Sequence, residues 1–177
     1  MNDKEKLFYD CVKKYNLMPS YPQDFSISHI ESFKYRFDEL FNFDVPNFKD
    51  KNFLDIGCGE GRYIFEACFR GAKYGLGLEP ESDGSKYNDF NFKDIQQVVQ
   101  HENVEVLGLK FSELSSNLKF DFILLNFVVD HLNEKCCELL LKSEKARAYY
   151  VRLFSEMRML LKPNGRLIIT DCSPTNY

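Results

Sequence analysis

Apolar residues in this chain alternate between two patterns. Short runs that are branched or aromatic predict five strands: Phe53 to Ile56, Tyr74 to Glu79, Val104 to Leu107, Phe120 to Asn126 and Arg166 to Asp171. The stretches around them carry apolar residues three and four positions apart, the spacing of helices buried on one face. Residues 4–16 place Leu7, Phe8, Cys11, Val12 and Tyr15 on one side, before Met18-Pro19-Ser20-Tyr21-Pro22 ends the helix. Ser28-His29-Ile30-Glu31 has the form of a capping box, followed by Ile30, Phe33, Phe37, Leu40 and Phe41 at helical spacing. Arg62 to Arg70 is a further helix, with Gly71 as its left-handed stop. Glu81 to Ser85 reads as a loop before a helix with Phe92, Ile95, Val98 and Val99 inward. The segment from Asp130 to Leu161 is helical with a break expected near Lys142-Ser143, and Lys162-Pro163-Asn164-Gly165 is a turn.

Strands alternating with helices predict an α/β fold: a Rossmann-like, mostly parallel sheet in the order 3-2-1-4-5, with helices on both faces. Residues 1–48 form an N-terminal helical segment, either packed on the sheet or acting as a lid, and residues 49–177 form the sheet domain. Ligands of such sheets bind at the carboxyl edge, where strand order reverses between the first and fourth strands. Gly57 to Gly61, Glu79 and Asn126 are expected on that edge.

The densest chemistry lies between Phe53 and Glu79. Gly57-Cys58-Gly59-Glu60-Gly61 joins strand to helix, and its glycines permit a sharp turn and close approach of a ligand. The helix behind it aims unpaired N–H groups above the turn. Glu79 ends the next strand, where a carboxylate can accept hydrogen bonds from ribose hydroxyls. A bare strand-to-helix connection is the plainer reading, but Asp55 and Glu79 at these positions favour a nucleoside site. Cys58 reads as a small side chain that fits the turn. His131 is either a helix-start residue or a proton acceptor, and Asp130 an N-terminal helix charge.

Composition narrows the partners. A chain of 177 residues with 44% apolar and 15% aromatic content can build a core and is not disordered. A net charge of −4 offers no field for a phosphate backbone, so nucleic acid is not an expected partner. Six cysteines without a Cys-x-x-Cys pair, and only three histidines, signal neither a metal site nor a disulfide framework. With a charged start and no membrane-length apolar run, the chain reads as a soluble cytoplasmic protein with reduced thiols and no membrane partner.

Three segments together resemble the class I S-adenosylmethionine-dependent methyltransferases, in particular those acting on small molecules. Leu54-Asp55-Ile56-Gly57-Cys58-Gly59-Glu60-Gly61 is similar to the family's first motif, Phe120-Asp121 through Asp130-His131-Leu132 to its fourth-strand motif, and Leu160-Leu161-Lys162-Pro163-Asn164-Gly165-Arg166-Leu167 to its fifth-strand entry. The resemblance implies S-adenosyl-L-methionine as cofactor, S-adenosyl-L-homocysteine as product, no metal, and methyl transfer to an oxygen or nitrogen of a small acceptor, sugar-like ones included. It implies that Asp55 faces the methionine amino group, that Gly57, Cys58, Gly59 and Gly61 pass beneath the cofactor, and that Glu79 takes the ribose, with Pro80 beside the adenine. Ser112 or main chain would replace the acid usually found near Leu109-Lys110-Phe111-Ser112. Asn126 is expected at the cofactor edge and, with Phe127 and the residues after Asp171, would line the acceptor side, and His131 is the candidate base. The family's last hairpin is missing after the fifth strand, so the edge is expected to be covered by a homo-oligomer contact or by more of a longer chain. The span from His131 to Leu161 is about ten residues longer than a simple crossover of this family, so an insertion here is expected to help form the substrate side. Two alternatives share the half-fold: an NAD-dependent oxidoreductase, whose third turn glycine is here Arg62, and a non-catalytic cofactor-binding or partner subunit.

Overall fold

A computed structural model describes residues 3–14, 27–80, 95–97, 99, 101–115 and 117–171. Its centre is a five-stranded sheet in the order β3-β2-β1-β4-β5, every pair parallel. The strands are β1 (Asn52–Ile56), β2 (Tyr74–Leu78), β3 (Val104–Leu107), β4 (Phe120–Asn126) and β5 (Leu161–Thr170). The predicted order is observed. Central β1 and β4 are apolar on both faces because both faces are covered, as parallel sheets require.

The helices are α1 (Asp3–Lys14), α2 (Ile27–Glu39), α3 (Arg62–Phe69), α4 (Val129–Leu132), α5 (Glu134–Glu138) and α6 (Glu144–Leu160). Helical residues 95–97 and 99 place Ile95 and Val99 in the core, as predicted. Phe92, Val98, the 81–85 loop, Tyr15 and the Met18 to Pro22 break lie outside the described residues.

Four local expectations need correction. Helix α1 buries Glu5, Phe8, Tyr9 and Cys11 while Leu7 is 41% exposed, so its inner face is turned by about one position. Ser28 lies inside α2, which begins at Ile27, and therefore is not the residue capping it. The segment after β4 breaks twice. Asn133 and Ser143 each accept a backbone N–H through their side chains, from Cys136 and Ala146, and so start α5 and α6. Lys162 to Gly165 is a bulge inside β5, since Phe120 pairs with Leu161 but Phe122 with Arg166.

The described residues of the N-terminal segment share one core with the sheet. Phe37, Phe41 and Phe48 pack on Phe53 of β1 and Phe122 of β4, with ring centroids between 5.2 Å (Phe48–Phe122) and 6.3 Å (Phe37–Phe53). A polar clasp adds direction to this contact. Buried Glu66 of α3 accepts from Arg70 Nε at 2.7 Å and Tyr9 Oη at 3.1 Å, while Arg70 donates to Asp38 Oδ1 of α2 at 2.5 Å. Burial, then the Glu66 charge, pushes the Tyr9 hydroxyl upward, so it remains a donor.

Helix α3 sits close over β2 because β2 reads Tyr-Gly-Leu-Gly-Leu. A Cβ on Gly77 would lie 2.4 Å from Cys58 Sγ, and one on Gly75 3.1 Å from Cys68 Sγ. At the opposite, amino-terminal edge, Asp121 Oδ2 accepts from Asn52 N at 2.8 Å and Lys162 Nζ at 2.6 Å, tying β1, β4 and the β5 bulge together. Burial opposes its charge, yet the Lys162 and Asn52 hydrogen bonds win and hold this carboxyl below its ordinary range.

Gly77→Ala is expected to cost about 1–3 kcal/mol in denaturant melts, as overpacking does. Part of that loss should return in a Cys58→Ala background, where Sγ is gone. Asp121→Asn is expected to cost about 1–2 kcal/mol at pH 7. Because the folded-state carboxyl titrates below the unfolded one, its contribution is present above the unfolded value. The gap between variant and native protein should therefore close as pH falls through the folded value, which thermal melts across pH 2–7 would record.

Candidate cofactor and acceptor site

The carboxyl ends of β1, β2 and β4 converge on the glycine turn. Gly57, Gly59 and Gly61 have φ of 73°, 52° and 77°, the left-handed region that favours glycine. The turn is tied back to β2: the Leu78 carbonyl accepts from Gly57 N at 2.7 Å and Cys58 N at 3.1 Å. Glu79, the next residue, accepts from Gly59 N through Oε2 at 2.8 Å. Gly61 N donates to Cys58 O at 3.0 Å, and α3 starts at Arg62.

Above this turn opens a cavity of about 820 Å³, in the range of small-molecule sites. Gly57, Glu79, Pro80, Ser112 and His131 line it, five of the residues singled out from sequence. A Cβ on Gly57 would strike Val128 Cγ2 at 2.4 Å, so the turn and the start of α4 fit only because this residue is glycine. A Cβ on Gly59 would meet nothing within 4 Å, which leaves open space over the turn.

The remaining sequence candidates lie beside or behind the cavity wall. Asp55, in register with Gly77 of β2 and Leu124 of β4, is 1% exposed. Neither of its carboxylate oxygens has a hydrogen-bond partner among the described residues. Burial first, and then the charge of Glu79, push its carboxyl up to about 8, with Arg62 pulling the other way. Cys58 is turned toward Gly77 and buried, and burial followed by the Asp55 and Glu79 charges pushes its thiol well up, so it stays a thiol. Gly61 serves the helix start. Asn126 turns its Oδ1 to Thr170 Oγ1 at 2.5 Å, inside the β4–β5 pair rather than on the cavity wall.

The rest of the cavity wall is built largely by the segment after β4. Phe127 adopts φ of 54°, pinned by its N–H to Thr170 O at 2.8 Å, and its ring is 57% exposed on the cavity wall. The His131 side chain is 63% exposed; Nδ1 lies 3.5 Å from Glu134 Oε1 and Nε2 3.8 Å from Asp130 Oδ1. Leu132, Asn133, Glu134 and Lys135, with Tyr149 and Leu153 of α6, complete that wall. The length of this region points to the substrate side in the sequence, but nothing there singles out these individual residues. Val128 and Gly77 were also missed, because their roles are steric and across strands. No described residue of the N-terminal segment lines the cavity. No described helix is long and apolar enough to cross a membrane, and the described residues hold no cluster of three or more potential metal ligands.

A buried carboxylate without a partner fits a group that brings positive charge, and the glycine turn leaves room for one. Asp55, Glu79 and the turn therefore fit an amine-bearing nucleoside cofactor, with Leu109, Lys110, Phe111 and Ser112 on the far wall for its base.

Comparison with known proteins points the same way. The family model described as a methyltransferase domain matches residues 30–176. A protein of Encephalitozoon cuniculi (strain GB-M1) assigned as a methyltransferase is 32% identical over 116 residues, covering 66% of this chain and 42% of its own length. The tRNA U34 carboxymethyltransferase of Ruthia magnifica subsp. Calyptogena magnifica is 29% identical over 126 residues, covering 71% of this chain and 34% of its own. The chain thus spans less than half the length of either curated relative. The solved structure of an S-adenosylmethionine dependent methyltransferase from Mesorhizobium loti is 17% identical and has a TM-score of 0.54, over 75% of this chain and 51% of that one, a likeness of fold.

The unpaired burial of Asp55 has a measurable consequence. An acid whose folded-state carboxyl titrates near 8 keeps its proton in the folded chain while the unfolded chain loses it near 4, so ligand-free stability falls across that window. Asp55→Asn is expected to melt higher than the native protein at pH 7, by a few kcal/mol, and the difference should shrink as pH approaches 4. Equal melting at both pH values would contradict the burial described.

Proposed function

The chain belongs to the methyltransferase-domain family, and on that premise we propose that it moves a methyl group from S-adenosyl-L-methionine to an oxygen or nitrogen of a small-molecule acceptor. The observation that carries this reading is the buried, unpartnered Asp55 carboxylate beneath an open glycine turn, with Glu79 beside it. When bound, the cofactor supplies the electrophilic methyl on its sulfonium. Asp55 would complement the amino end and Glu79 the ribose hydroxyls. Pro80, Phe111 and Ser112 would enclose the base. What remains for the protein is alignment and exclusion of water.

On the acceptor side, Phe127 and Val128 form an apolar wall, and His131 lines the same cavity. With Nδ1 turned to Glu134, His131 Nε2 would take the proton from a hydroxyl acceptor. On the cavity wall Glu79 and Glu134 offset Lys110 and Lys135, which leaves no net positive field and supports a small acceptor over a polyanion. The net charge of −4 supports the same choice.

Titration calorimetry with S-adenosyl-L-homocysteine tests the cofactor reading. The intact protein is expected to bind, and Asp55→Ala with Glu79→Ala to bind at least about tenfold more weakly, the cost of two lost charged contacts. Absence of binding, or undiminished binding by the double variant, would refute it. For the base, His131→Ala should leave product affinity unchanged and slow transfer of labelled methyl to hydroxyl-bearing metabolites by about 10²–10⁴-fold, with amine acceptors less affected.

A further inference from the structure

Asp55 sits inside a sheet, not on a loop. Its neighbours in register are Gly77 on β2 and Leu124 on β4, and both carboxylate oxygens are sealed from solvent without a hydrogen-bond partner among the described residues. A charged carboxylate in such a place is costly unless something pairs with it. The titratable groups around it, taken element by element, do not supply that pairing. From the end of β2 comes Glu79, a second carboxylate; from the turn come Cys58, held as a thiol, and Glu60; from α3 comes Arg62. Arg62 is the opposing cation, but its Nε lies 3.9 Å from Glu60 Oε2. From β4 the neighbour in register is Leu124, which carries no charge.

Granted the cofactor reading above, on which this rests, we infer that ligand capture is coupled to loss of a proton from Asp55, so that the site selects cationic, amine-bearing ligands over neutral ones. The step is an O–H cleavage: the proton leaves to solvent, the electron pair stays on the carboxylate, and the ammonium of the ligand becomes its counter-charge. Glu79 makes the step sharper. Its charge disfavours ionisation of Asp55 in the free protein, and the same negative field attracts the cation that relieves it. Since burial holds the free carboxyl at about 8, the proton is present at neutral pH and available for release.

The probe is S-adenosyl-L-homocysteine, whose amino group is cationic. Its binding enthalpy would be measured at pH 6.5 in phosphate and in Tris, buffers of different ionisation heat, which yields the number of protons released. Native protein is expected to release close to one proton, and its Kd to fall nearly tenfold per unit from pH 6 to 7. Asp55→Asn, run in parallel because the ligand's own amine also titrates at about 8, should release almost none and lose the slope. A desamino analogue should bind without proton release. Should Asp55→Asn fail to fold, Glu79→Gln decides: removing that charge should move the native slope to lower pH. Binding with equal enthalpy in both buffers and a flat Kd would overturn the proton coupling and leave the cofactor reading intact. Absence of binding at any pH would overturn both.

Discussion

The carbonyl of Leu78 accepts two hydrogen bonds from the turn that leaves β1, and the geometry of the whole ligand edge depends on this closure. It draws Gly57 and Cys58 down onto the end of β2, which is possible only because Gly77 leaves room for the Cys58 side chain and Gly57 leaves room for Val128. Glu79, the residue after Leu78, is thereby brought under Gly59 and fixes the next N–H of the turn. Three strands and two helix starts are thus positioned by one carbonyl and a few missing side chains. Close packing of this kind transmits a single added methyl as a clash, since interiors have no slack to absorb it.

The same closure creates the electrostatic character of the site. It seals Asp55 between β2 and β4 and sets a second carboxylate at the adjoining strand end. Like charges in a low-dielectric setting cannot both be ionised cheaply, and the buried one yields first. On the proposed reading this edge suits an incoming cation, and the stability sacrificed there is supplied by the aromatic core. Phe37, Phe41, Phe48, Phe53 and Phe122 pack N-terminal segment, β1 and β4 into one body, and the Glu66–Arg70–Asp38 clasp fixes its orientation.

Where the chain is long relative to a simple crossover, it forms one wall of the cavity. Two side-chain caps, Asn133 and Ser143, divide that segment into short helices, so that Leu132 to Lys135 face the cavity and α6 returns over the sheet. Phe127 is held in a strained left-handed conformation by the β4–β5 pair, which turns an aromatic ring outward just where the acceptor would stand.

The strand order, the glycine turn and the pair Asp55 and Glu79 were legible in the residues themselves. Hydrophobic period fixes strand or helix locally, right-handed crossovers then fix the order, and positive φ at Gly57, Gly59 and Gly61 demands glycine wherever the chain folds. The inner face of α1, the strand nature of Leu161 to Gly165, and the retreat of Asn126 from the cavity could not be read there. Each follows from a partner distant in sequence: Glu66 drawing Tyr9 inward, Phe120 pairing with Leu161, Thr170 taking Asn126. The identity of Asp55 was written in the sequence. Its burial without a partner was decided only when β2 and β4 closed on either side, because desolvation is a property of the assembled sheet.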